Sequence, residues 1–126
     1  MKRAVTLKEN HEFRRLYQKG ASAVSGCMVV YCRKNKLGHN RLGITVSVKL
    51  GHAVVRNRIR RQLREIYRLH EAQFLPGWDI VVVARSRAVD APYQKLERAY
   101  LSLADKLGLL RSAEEPASQA PRVEKP

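Results

Sequence analysis

The chain has 126 residues, 44% of them hydrophobic, and carries 25 Lys+Arg against 11 Asp+Glu, a formal net charge of +14. Length and apolar content predict one folded domain with a modest core. The charge predicts a polyanionic partner, nucleic acid or an anionic membrane surface, and says nothing about fold. No stretch is long and apolar enough to span a bilayer, and "MKRAVTLKENHEF" lacks the apolar run of a signal peptide. Cys27 and Cys32 form no CxxC pair and have no His or Cys at metal-ligand spacing. They read as reduced structural thiols, placed by odd spacing on opposite strand faces, and a cytoplasmic location is expected.

In chain order, residues 1–8 read as a basic leader. "ENHEFRRLYQKG" predicts a short helix, with Asn10 able to cap its start and Gly20 ending it. Phe13, Leu16 and Tyr17 share one face of that helix. "ASAV" reads as a brief strand and "CMVVYCRK" as a stronger one. "NKLGHN" is a turn cluster. "RLGITVSV" alternates: Leu42, Ile44, Val46 and Val48 face one side, and Gly43, Thr45 and Ser47 the other. The first face suits a core, and the second a small polar floor.

"AVVRNRIRRQLREIYR", Ala53 to Arg68, holds six arginines and one acid. At about 100° per residue, Val55, Ile59, Leu63 and Ile66 fall on one apolar stripe. Asn57, Arg60, Arg61, Arg64 and Arg68 occupy the opposite half, and Arg56 and Arg58 flank the stripe. A helix is therefore predicted, with residues 51–53 at its start and Pro76–Gly77 stopping it. "WDIVVVAR" has the continuous apolar run of a strand buried on both faces. Asp90 is placed as the cap of a last helix, with Pro92 in its first turn, Tyr93, Leu96, Tyr100, Leu103 and Leu107 as its buried stripe, and Gly108 closing it. Residues 1–110 form the predicted domain, and 111–126, rich in Pro, Ala, Ser and Glu, a disordered tail. The order is helix, two or three strands, helix, strand, helix: a mixed α/β sandwich around one sheet, with a βαβ unit containing the arginine helix.

Like charges at i, i+4 destabilise a helix by a few tenths of a kcal/mol each. Arg56, Arg60, Arg64 and Arg68 form an unbroken ladder of that kind, relieved only in part by Glu65 through Arg61 and Arg68. A merely soluble face would mix in Glu and Lys. Every base here is arginine, whose guanidinium grips phosphate at two points and stacks on bases. Asn57 brings an amide suited to a base edge, a 2′-hydroxyl or a metal-bound water. Membrane binding would need the apolar stripe free to enter lipid, yet the core requires it. A strand precedes this helix, which argues against a helix-turn-helix DNA reader. Single-stranded RNA is gripped by aromatic platforms in a basic groove, for which Phe13, Tyr17 and Tyr31 are candidates; core filling is the competing role of Phe13 and Tyr17. No Ser/His/Asp or Cys/His set stands together; His11, His39, His52 and His70 are scattered, and acids are too sparse for a two-metal carboxylate site.

"AVVRNRIRRQLRE" closely resembles the RNR signature of the bacterial ribonuclease P protein subunit. "NHEFRRLYQKG" is similar to the family's first helix, "MVVYCR" and "RLGITVSVKLG" to its central strands, and "WDIVVVAR" to its last strand, over about residues 5–107. The resemblance implies a two-layer α/β (α+β) sandwich: a four-stranded mixed sheet, three helices in the order α-β-β-β-α-β-α, and a left-handed βαβ crossover. It also implies a protein that binds a catalytic RNA and the 5′ leader of precursor tRNA, for Mg²⁺-dependent removal of the leader. Chemistry and metal would reside in the RNA, with no catalytic residue in the protein. The RNA-subunit contacts would be Arg56, Asn57, Arg58, Arg60, Arg61 and Arg64, and the leader cleft Phe13, Tyr17, Val29, Tyr31, Thr45 and Ser47. Tyr17 stands where relatives often have Phe, and Val48 beside Lys49 where relatives often carry two lysines. A ribosomal or general basic RNA-binding protein is the alternative that charge alone leaves open. Neither reading calls for a membrane or an obligate protein partner.

Overall fold

The computed structural model describes residues 5–6 and 10–111, with side chains from residue 13 onward. Strand β1 (Val5–Thr6) precedes helix α1 (Asn10–Lys19) and strands β2 (Ala21–Val24), β3 (Met28–Lys34) and β4 (Arg41–Thr45). Helix α2 (Ala53–His70), strand β5 (Trp78–Ala84) and helix α3 (Tyr93–Lys106) follow. The sheet runs β1-β4-β5-β3-β2. Central β5 is parallel to β4 and antiparallel to β3. The four predicted strands are present. β1 adds a two-residue edge, Val5 on Arg41 and Thr6 on Leu42, too short to show any periodicity in a stretch read as a leader.

The main core lies between one sheet face and helices α2 and α3. Met28, Val30 and Cys32 of β3, Leu42 of β4, and Ile80 and Val82 of β5 meet Ile59, Leu63 and Ile66 of α2 and Leu96, Tyr100 and Leu103 of α3. The α2 stripe is thus the predicted one, with Tyr67 added at its margin. Tyr67 packs on Phe74, which packs edge-on against Tyr100. On the other sheet face α1 buries Leu16 against Val81, with Phe13, Tyr31 and Val83 around them. β5, between two partner strands and two helical layers, is buried over most of its length, as its apolar run requires.

Three local expectations change. The strand predicted through Val48 ends at Thr45. Ser47 Oγ accepts the Lys49 N–H at 3.1 Å and turns the chain into a 3₁₀ turn, so Val46 stays buried but Val48 is 72% exposed. Cys27 lies just before β3 and enters the same core as Cys32, not the opposite face; both are free and buried. Burial pushes the Cys32 thiol up to about 11, which keeps it protonated and inert. Pro92, not Asp90, is the residue before α3. A proline disfavours helical backbone in its predecessor, so the helix does not reach back past Ala91. Gly20 does end α1, through close approach: a Cβ there would lie 2.6 Å from the Cys32 carbonyl oxygen and 2.7 Å from that of Leu16. Gly108 closes α3 as predicted. Arg111 is bonded to the fold through Gln73 and Ala72, and the rest of the predicted tail lies outside the described residues.

One charged pair locks the start of the parallel strands. Arg41 grips Asp79 through Nε at 2.8 Å and a terminal nitrogen at 2.7 Å, and Asn35 Nδ2 adds a bond at 2.9 Å. Burial pushes the Asp79 carboxyl up, but the bonds from Arg41 and Asn35 and the charges of Arg41 and Arg33 outweigh it and hold it below the usual carboxylate range. The unfolded carboxyl, at about 3.9, therefore takes a proton first as pH falls. The stabilisation is complete above that pH and is lost as pH drops through the lower folded-state value. Asp79→Asn should lose about 2 kcal/mol at neutral pH. Its stability should also depend less on pH than the wild type's below about pH 4. Urea unfolding across pH checks this; parallel acid profiles for the two proteins would contradict it.

Candidate nucleic-acid interface

The α2 face divides by what its side chains already touch. Arg56 Nε donates to the Gly51 carbonyl at 3.1 Å, and Arg58 donates to the Val89 carbonyl at 2.7 Å. These two brace the helix start against the neighbouring chain while keeping other N–H groups free. Gly51, at φ 144 with Val55 packed against it, permits the sharp turn into α2. Arg60 donates to Asn57 Oδ1 at 2.9 Å on the exposed surface. Arg61 and Arg64 are exposed and make no hydrogen bond or ion pair among the described residues. Among the described residues Glu65 pairs with Arg68 alone, at 2.6 and 3.1 Å, and not with Arg61. That pair is solvated and contributes little. His52 precedes α2 without a side-chain cap, and no acid stands in the first turn. The positive end of the helix dipole is therefore left to add to the arginine field.

The second candidate region lies on the α1 face of the sheet. Strand register forms rows across β3, β5 and β4: Val29–Val83–Thr45, then Tyr31–Val81–Gly43, then Arg33–Asp79–Arg41. Val29 and Tyr31 thus share a face with Thr45, joined through β5, which lies between their strands. α1 sits over this face. Tyr17 meets Tyr31 edge-on, ring centroids 4.8 Å apart, and Tyr17 is 42% exposed. An open groove of about 400 Å³ is lined by Phe13, Arg14, Tyr17 and Thr45. Phe13 is half-buried against Leu16 and Val81 and so combines filling with lining. Ser47 is exposed beyond the end of β4, where its hydroxyl caps the following turn. Arg14 and the β5 valines were missed: helical phase turned Arg14 from the apolar face, and parity within one strand does not reveal its neighbours.

The family model for ribonuclease P matches residues 1–108. The ribonuclease P protein component of Alkaliphilus oremlandii is 41% identical over 113 residues, covering 90% of this chain and 99% of the relative. That of Natranaerobius thermophilus is 40% identical over 111 residues, covering 88% and 96%. Among solved structures, the ribonuclease P protein of Staphylococcus aureus superposes with a TM-score of 0.80 at 37% identity, covering 86% of this chain and 100% of the other. That of Thermotoga maritima gives 0.71 at 30% identity, covering 81% and 94%. The element order and the β4–α2–β5 crossover, expected to be left-handed, are consistent with these structures. With nearly its whole folded length matched in sequence and in fold, the chain belongs to the ribonuclease P protein family.

Proposed function

We propose that this chain is the protein subunit of a cytoplasmic ribonucleoprotein endonuclease. It binds the catalytic RNA through the α2 arginine face and holds the single-stranded 5′ leader of precursor tRNA in the groove between α1 and β4. The observation that carries this is the register that sets Val29, Tyr31 and Thr45 on one sheet face, beside Phe13 and Tyr17 of α1. A general basic RNA binder needs the charge but not an aromatic-edged groove beside it.

The groove receives unpaired bases, with Tyr17 as the exposed ring and Tyr31 supporting it edge-on. Arg14 at the rim offers charge to the backbone. The guanidinium groups of Arg60, Arg61 and Arg64 meet phosphates of the RNA subunit, and Asn57 keeps its amide protons for a base edge, a ribose or an RNA-held ion's water. Mg²⁺ is assigned to the RNA. Among the described residues no three His, Cys, Asp or Glu side chains converge, and a hard cation such as Mg²⁺ needs several oxygen donors.

Precursor tRNAs with leaders of graded length test this reading. Affinity of the reconstituted complex should rise over the first several leader nucleotides and exceed that for mature tRNA by about tenfold or more, as expected for one or two stacked bases. Equal affinity for precursor and mature tRNA would favour the general RNA-binding alternative.

A further inference from the structure

A second basic concavity, of about 310 Å³, opens at the opposite end of the strands from Thr45. Arg15 of α1, Arg33 and Lys34 at the end of β3, Lys36 in the β3–β4 loop and Arg41 of β4 line it together with the carboxylate of Asp79. That carboxylate is already engaged by Arg41 and Asn35. Lys34 extends over the Trp78 ring. Among the described residues Arg15, Arg33 and Lys36 form no ion pair or hydrogen bond, and Asp79, which feels the charges of both Arg41 and Arg33, is one carboxylate against several bases.

The loop carrying Lys36 is braced. The Asn35 N–H donates to the Gly77 carbonyl at 2.9 Å, Asn35 Oδ1 accepts the Leu37 N–H at 2.8 Å, and Asn35 Nδ2 bonds the His39 carbonyl at 3.1 Å. This bracing sets Lys36 at φ 66, a left-handed conformation found in no other described non-glycine residue. Turns of this kind favour Gly or Asn. A lysine there is a costly choice unless its ammonium is used.

We propose that this pocket is a second phosphate site, which seats one backbone phosphate of an RNA strand between Arg15, Arg33 and Lys36 above the Arg41–Asp79 pair. It rests on the RNA-binding reading and extends it. Arg15 and Leu16 line this pocket, whereas Phe13, Arg14 and Tyr17 line the leader groove. α1 therefore presents different flanks to two RNA contacts on one sheet face. The phosphate could come from the catalytic RNA or from precursor tRNA, and the test separates them.

The variant is Arg15→Gln/Lys36→Asn. Both side chains are exposed and unbonded among the described residues, and Asn tolerates the left-handed backbone, so the melting temperature should hold. Salt dependence is measured in two arms: protein on catalytic RNA, and reconstituted complex on precursor tRNA. In the arm whose RNA supplies the phosphate, the slope of log affinity against log salt should fall by about 1 to 2. Affinity at about 150 mM salt should drop by about fivefold or more in that arm, because charge-assisted hydrogen bonds to the phosphate are removed. Unchanged slopes in both arms, with the fold intact, would overturn the proposal. Arg60→Ala/Arg64→Ala is run alongside. If it weakens binding and the pocket variant does not, the second site alone fails. If the wild type binds neither RNA, the RNA-binding reading falls and this site falls with it.

Discussion

Replacing Arg60 and Arg64 together by alanine should lower affinity for the catalytic RNA by about a hundredfold at physiological salt. On a largely solvated surface, each guanidinium–phosphate pair contributes about tenfold to affinity. The salt slope should fall by about 2. The free protein should move the other way. Among the described residues the hydrogen bond of Arg60 is to the exposed Asn57, and Arg64 makes no hydrogen bond or ion pair. Both stand at i, i+4 from like charges, so their removal should leave stability unchanged or raise it by a few tenths of a kcal/mol. Opposite signs for binding and stability would identify arginines placed for a partner. Arg58→Ala would be a poorer probe: it removes the bond to the Val89 carbonyl that ties α2 to the segment before α3, and with it about 1 kcal/mol of stability. Unchanged RNA affinity in the double variant, with the fold intact, would remove α2 as the RNA-binding face.

The second large effect is expected at Tyr17. Its exposed ring is the groove surface most accessible to a base, and a base–aromatic stack is worth about 1–3 kcal/mol. Tyr17→Ala in the reconstituted complex should therefore reduce the preference for precursor over mature tRNA by about tenfold, with affinity for mature tRNA unchanged. Stability should fall by about 1 kcal/mol, because the edge-on packing against Tyr31 goes with the ring. Tyr17→Phe should keep the preference, since stacking needs the ring and not the hydroxyl. Binding competition between precursor and mature tRNA reads this directly. A Tyr17→Ala complex with its leader preference intact would move the leader elsewhere.

Much of this arrangement was legible because it is local. Helix α2 announced itself in the phase difference between its apolar stripe and its arginines, and β5 in an unbroken apolar run. What escaped depends on chain segments far apart. Val29 and Tyr31, two apart in one strand, share a face by parity, but parity does not show that β5 enters between β3 and β4 to bring Thr45 into their row. Arg58 read as a phosphate ligand like its neighbours, while its bond to Val89 depends on where a segment 31 residues later returns. Tyr67 fell outside the helical stripe, yet Asn40 bonds its hydroxyl at 3.0 Å and Phe74 covers its ring. Val48 read as core because alternation was extended past the point where Ser47 captures a backbone N–H.

On the proposed function, this protein acts by holding RNA and leaves the chemistry to it. The most direct test is cleavage of precursor tRNA by a bacterial ribonuclease P RNA at low Mg²⁺, with and without the protein and with Arg60→Ala/Arg64→Ala. Cleavage at the mature 5′ end should depend on the protein, be weakened in the variant and be restored in part by added Mg²⁺. Absence of stimulation while RNA binding stays intact would contradict it and leave a basic α/β RNA-binding protein with another role.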